Sequence, residues 1–249
     1  MNNYITADIC RILRKQSFGG SISAFLGLFG IMIFIYFNPS FTAEMYVSKI
    51  TNFLSYFPLI VGLFVFMSVY ADDFKCKSMQ VAIGYGIPRR NIILAKLLES
   101  TLLLLGITVI MEIAILATPM AIHLDPNHVQ LKSLAVTVLA EMLRTLGYIA
   151  ISTFPVFLTQ NAVNGIIFYV LLASKTVFIV LSMILGQDIL VNIFGDLTKH
   201  LYTVQVYSTK VAFIQNEAFI PTLLLALTVY VILPTVISAI GFNKKELEF

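Results

Sequence analysis

Six stretches of the chain, 18–37, 53–71, 97–122, 133–158, 162–185 and 219–242, are apolar over about the 20 residues that a helix needs to cross a hydrocarbon core roughly 30 Å thick. No water reaches such a core, so each backbone N–H and C=O must find its partner inside the segment, and runs of this length fold as helices. The expected fold class is all-α: a polytopic membrane protein whose six transmembrane helices form one domain over residues 1–249. Composition agrees, with 59% hydrophobic and only 12% charged residues and a mean hydropathy of +0.91. A soluble domain carries about a quarter charged residues, so that class is excluded. The net charge of +3 is small and the basic residues are not gathered on an aromatic patch, which argues against nucleic acid and leaves membrane lipid as the surroundings.

Basic residues set the orientation. With a cytosolic amino terminus, the inside pieces hold Arg11, Arg14, Lys15, Lys75, Lys77, Arg89, Arg90, Lys96, Lys244 and Lys245, against Lys49, Lys132, Lys199 and Lys210 outside. Ten against four places both termini in the cytoplasm of a multi-pass cell-membrane protein. The first apolar run follows a basic leader and lacks a small-x-small cleavage site before Asn38 and Pro39, so it is expected to stay attached. Cys10 and Cys76 then face the reducing side, where a disulfide is not expected.

Four ionisable residues interrupt the apolar runs: Glu112, Glu141, Arg144 and Lys175. A charge near a helix centre costs roughly 2.5–3.5 kcal/mol on insertion scales, so it is kept where it is partnered or used. Two acids and two bases can neutralise one another, and Glu141 and Arg144 stand i, i+3 on one helix. The same set can also relay protons or bind an ion, which is the signature of a secondary transporter. Pro58, Pro119, Pro155, Pro221 and Pro234 fall within or at the ends of the runs, where they kink helices.

Shorter segments carry their own patterns. Ile5, Ile9, Ile12 and Leu13 recur at helical spacing beside Arg11, Arg14 and Lys15, the pattern of an interfacial helix, with a solvated leader as the plainer alternative. In the outer loop 186–218, Leu190, Ile193, Phe194, Leu197 and Leu201 form an apolar stripe, which predicts short helices on the outer leaflet. Between the second and third runs, Asp72 and Asp73 open a short helix through the dipole, and Gly84, Gly86 and Pro88 end it before Arg89 begins the next. Such an element can dock on a soluble partner, or simply connect two spans.

This inner segment, with Gly84, Gly86, Ile87, Pro88, Arg89, Arg90 and the following Lys96, resembles the coupling segment of ABC-2-type transporter permeases, in particular the small six-span subunits of bacteriocin, lantibiotic and antimicrobial-peptide export or immunity systems. The likeness in layout covers nearly the whole chain. It implies a cytosolic coupling helix that meets an ATPase through Asp73, Phe74, Lys77, Met79, Gln80 and Ile83. It also implies an ABC ATPase subunit and a second permease copy or homologous permease as partners.

No catalytic or cofactor site is expected in this chain. None of the thirteen glycines opens a Gly-x-x-x-x-Gly-Lys-Ser/Thr run, so ATP is expected on the partner subunit. His123, His128 and His200 all fall in outer loops, away from membrane depth, and no Gly-x-Ser-x-Gly occurs, so metal and serine hydrolysis are both disfavoured. The sequence therefore reads as a permease subunit exporting an amphiphilic peptide or lipid-like substrate, with an ion- or proton-coupled secondary transporter as the alternative. Topology is directly testable. A cysteine at Asn127 or Asn192 is expected to react with an impermeant thiol reagent in intact cells, and Cys76 only after permeabilisation. Labelling of Cys76 from outside overturns the orientation.

Overall fold

At Thr42, Asn127 and Asn161 a helix begins where a side chain stands in for a missing backbone partner. The computed structural model describes residues 2–75 and 78–244, is 86% helical, and contains no strand among the described residues. Helix α1 spans Asn2–Leu13 and α2 Gln16–Tyr36. Helix α3, Ala43–Phe74, starts at Thr42, whose hydroxyl accepts from the Met45 N–H at 3.3 Å. Helix α4 is the short Ser78–Gly84, and α5 runs Arg89–Ala121 behind Pro88. Helix α6, His128–Thr159, opens with a capping box in which Asn127 accepts from the Gln130 N–H and Gln130 accepts from the Asn127 N–H. Next come α7, Ala162–Ala173, capped by Asn161, and α8, Thr176–Leu185, followed by α9, Asp188–Phe194, α10, Tyr202–Gln215, and α11, Ile220–Lys244.

Five of these, α2, α3, α5, α6 and α11, are long and apolar enough to cross a membrane, and α7 with α8 makes a sixth if the bent pair is one span. The apolar runs mark them well but not their ends. Run 53–71 sits inside the longer α3 and run 97–122 inside α5, because hydropathy registers only the lipid-deep turns. At 33 and 32 residues, α5 and α6 are about 50 Å long, more than a hydrocarbon core is thick. Helix α6 is central: 72% of its apolar window is buried, against 22% for α2 and for α11 at the rim. Rim side chains such as Phe34, Ile113 and Leu224 point outward, the arrangement expected where the solvent is lipid.

The chain turns at defined residues. Gly86, at φ +84°, ends α4: its N–H donates to Ile83 O and the Ile87 N–H to Ala82 O, a Schellman closure that delivers Pro88 to α5. Prolines leave carbonyls without a donor, and neighbouring helices supply one. Pro119 frees the Ile115 carbonyl, and the Tyr46 hydroxyl donates to it at 2.6 Å. Around Pro58, where α3 widens into a π-helical turn over Pro58–Gly62, Tyr169 of α7 donates to Pro58 O at 2.5 Å. Gly62 is required there, since a Cβ would stand 2.0 Å from the Tyr169 hydroxyl oxygen.

Three expectations change in detail. The α1 stripe faces protein rather than lipid: Ile5 and Ile12 are buried with Asp8 between them, while Leu13 is exposed. In loop 186–218 both short helices form, but the stripe divides, with Ile193 and Phe194 exposed on α9. The run 162–185 is broken at Ser174 and Lys175, where α7 and α8 meet at 59° and Lys175 takes a left-handed φ of 65°. That conformation costs a non-glycine residue roughly 1–2 kcal/mol. Lys175→Gly is therefore expected to match or exceed the wild-type melting temperature in detergent, and Lys175→Ile to fall below it. Equal melting temperatures for the two variants would mean the bend is not held at this residue.

Candidate functional site

Arg144 is the largest fully buried side chain among the described residues, and three groups from separate elements receive it. One turn earlier on α6, Glu141 offers Oε2 at 2.6 Å from Nη2. The same Nη2 donates to Ser55 O at 2.9 Å, at the turn that precedes Pro58 in α3, and Nη1 donates to the Tyr207 hydroxyl of α10 at 2.7 Å. Tyr207 in turn donates to Glu141 Oε1 at 2.8 Å. Arginine, phenol and carboxylate thus close a neutral ring, and the guanidinium also serves a carbonyl beside the broken part of α3. Of the expected quartet, the structure brings Glu141 and Arg144 together. Lys175 lies half-buried at the α7–α8 bend and Glu112 half-buried on α5, and neither joins the ion pair.

A second cluster gathers at the opposite end of the bundle. Lys96, on α5, has no exposed surface, and its ammonium contacts carboxylates from three places: Asp8 of α1, Asp73 at the end of α3, and Glu99 one turn on, the last at 3.0 Å. Arg11 bridges two of them, with Nη2 at 2.5 Å from Asp8 Oδ1 and 2.6 Å from Asp73 Oδ1. Lys15 pairs with Asp72 at the margin. In the buried part, Asp8, Asp73 and Glu99 face Lys96 and Arg11, so three carboxyl groups share two cations. Glu99 Oε1 and the Tyr70 hydroxyl are enclosed there without a hydrogen-bond partner among the described residues. Burial opposes the Arg11 charge, but Asp73 and Asp8 outweigh it and hold the guanidinium above its ordinary pKa. Burial also lifts the Tyr4 phenol to about 12 against the pull of Lys96, whose ammonium lies 5.3 Å from the ring centre.

This second cluster fixes the root of α4. Asp73 is fully enclosed by Lys96 and Arg11, so its carboxylate is committed within the chain. Met79 is buried, Phe74, Gln80 and Ile83 are half-buried, and Phe74 lies 6.4 Å, centre to centre, from the Phe157 ring of α6. Lys77, with Cys76, falls outside the described residues. The outward side of α4 carries Val81, 56% exposed, and Tyr85 just beyond it, 85% exposed. Sequence reasoning passed over Asp8, Glu99 and Tyr85, did not single out Val81 within the coupling helix, and read Tyr207 only as an aromatic of the outer interface. The i, i+3 pairing of Lys96 with Glu99 and the i, i+4 pairing of Val81 with Tyr85 were available signals.

Comparison with protein-family models, with curated proteins and with solved structures finds no match to this chain.

Removing one partner from a buried ion cluster strands the others, at about 3–5 kcal/mol. Lys96→Met is expected to lose stability on that scale and to lower the yield of folded protein. Glu99→Gln removes the carboxyl group in excess of the two cations and should be close to neutral. Thermal unfolding of the two purified variants checks this, and equal losses would mean that the Glu99 carboxylate is not surplus.

Proposed function

We propose that this chain is the transmembrane permease subunit of an ABC-2-type exporter, moving an amphiphilic peptide or lipid-like substrate across the bacterial cytoplasmic membrane while a separate subunit hydrolyses ATP. The observation that carries the reading is α4: a short helix that ends at the Gly86 turn, follows a segment rooted in a buried ion cluster and presents Val81 and Tyr85 outward. An exposed aromatic beside an exposed valine, on a helix that long spans flank, suits the groove of a soluble partner, where such side chains supply most of the binding energy. In this reading α7 and α8 form one bent span, giving six. Helix α1 lies at the cytosolic interface, α4 is the coupling helix, and both termini are cytoplasmic. A second permease copy completes the assembly.

The coupling route follows from the contacts. A push on α4 reaches Asp72 and Asp73, then Lys15, Arg11 and Lys96, and so moves α1, α3 and α5 together. The chain contributes binding and shape change, with ATP held by its partner. The ring of Glu141, Arg144 and Tyr207 speaks for packing rather than ion passage, because the carboxylate is already held by an ion pair and a hydrogen bond.

The contact face differs from the one the sequence points to, since Met79 is buried and Tyr85 is not. Replacing Tyr85 or Val81 by Asp presses an unpaired charge into the partner's apolar groove, and loss of a contact worth about 2 kcal/mol weakens binding by more than about tenfold. Expression and membrane insertion should be unchanged while a co-expressed ATPase no longer co-purifies in detergent. Full co-purification and normal ATP hydrolysis by both variants would remove α4 as the docking element.

A further inference from the structure

Between α6, α10 and the start of α11 lies an open groove with about 540 Å³ of empty space, walled by Leu139 and Leu143 on one side, Val206 and Phe213 on another, and Leu223 on the third. The walls are apolar apart from Thr209 and one cation, Lys210, which is half-buried.

Lys210 has no counter-ion among the described residues. Its ammonium lies 6.0 Å from the centre of the Tyr207 ring, and no carboxylate pairs with it among the described residues. Glu141, the nearest acid in the bundle to influence it, is already taken by Arg144 and Tyr207. Glu217, past the end of α10, is exposed and pairs with neither nearby lysine among the described residues. A second cation stands across Phe213: Lys132 of α6 lies 5.0 Å from that ring centre and donates to Asn216 Oδ1 at 2.8 Å. Two ammonium groups thus lie against rings of α10, Lys210 on Tyr207 and Lys132 on Phe213, and the latter ring lines the slot.

A half-buried cation against an apolar wall is costly unless an anion completes it. An occupant that only filled the slot would leave Lys210 unanswered. A soluble anion would leave the slot empty. We propose that this groove binds an anionic membrane lipid, with one acyl chain between α6 and α10 and the headgroup phosphate on Lys210. Leu139 and Leu143 line the chain, and Lys132 draws the headgroup toward the Phe213 edge. The site stands whether or not the chain is a permease, because lipid occupancy needs neither ATP nor an ATPase.

The test uses the full chain in nanodiscs doped with phosphatidylglycerol or phosphatidylcholine, each carrying a photoreactive group on one acyl chain, with labelled residues located by mass spectrometry. Wild type is expected to label in the groove about fivefold more with phosphatidylglycerol, the factor that roughly 1 kcal/mol for one lysine converts to. Lys210→Met should reduce that preference to about one, and Lys210→Arg should keep it. Leu143→Trp, which fills the slot, should remove groove labelling by both lipids. Lys210→Gln serves in the same way if the Met variant is not recovered monodisperse. Equal labelling of wild type by the two lipids overturns the proposal, as does a preference that survives Lys210→Met. Competition by inorganic phosphate at millimolar excess also overturns it, since the site would then be one for soluble anions.

Discussion

An ammonium group withdrawn wholly from water survives only where carboxylates replace its hydration, and Lys96 has three of them, drawn from α1, from the end of α3 and from its own helix. The remainder of that end of the molecule is arranged by this demand. Helix α1 is held by Asp8 against α5 and by Arg11 against the end of α3, so its apolar stripe packs on protein. The end of α3 is pinned twice, through Asp73 inside and Asp72 at the margin. Helix α4 hangs between these anchors and the Arg89 end of α5, where the guanidinium also donates to Phe242 O of α11 at 3.1 Å. A cluster with such a desolvation penalty is weak as a source of stability but strong in specifying one arrangement, since any sliding of α1 against α5 would bare an unpaired charge.

Within the apolar depth the same constraint acts on the backbone. Helix breaks are permitted where a neighbour supplies the donor that the ladder has lost. Tyr46 serves the carbonyl freed by Pro119, Tyr169 serves Pro58 O, and Arg144 serves Ser55 O. Arg144 therefore answers two needs at once, the Glu141 charge and an open carbonyl, which accounts for an arginine where lysine would make only a point contact. The tyrosines bring an apolar body with one polar tip, suited to reaching a carbonyl across a lipid-facing bundle.

How much of this can be read from the sequence depends on the range of each interaction. Long helices are legible because hydropathy is a local sum. Their ends are not, because the extra turns of α3 before residue 53 are amphipathic and depend on Thr42 and on burial of Tyr46 and Ile50 against distant helices. The Glu141–Arg144 pair is legible from its i, i+3 spacing, yet its third member, Tyr207, lies 66 residues from Glu141 and carries no charge to draw attention. Lys175 misleads because an apolar run conceals the break at Ser174, and the lysine at that bend makes no ion pair with Glu141 among the described residues. Asp8 is the plainest case: its partner Lys96 is 88 residues away, so along the sequence it looks like one more polar residue on a basic leader.

Both clusters act on α3, and this gives that helix its place in the molecule. Arg144 holds it at Ser55, and Lys96 with Arg11 holds it at Asp73. The 18 residues between these anchors rise about 27 Å, close to the thickness of a hydrocarbon core. Between them lie two π-helical turns, Pro58–Gly62 and Met67–Ala71, where the hydrogen-bond ladder is wider and less regular than in an α-helix. A rod fixed at both ends and softened in the middle responds to a displacement at Asp73 by bending or rotating there, not by sliding. The residues that would feel that bend first are those packed on the softened turns, Tyr169 against Gly62 and Phe157 against Tyr70, so a movement of α4 would be delivered to α6 and α7, deep in the bundle.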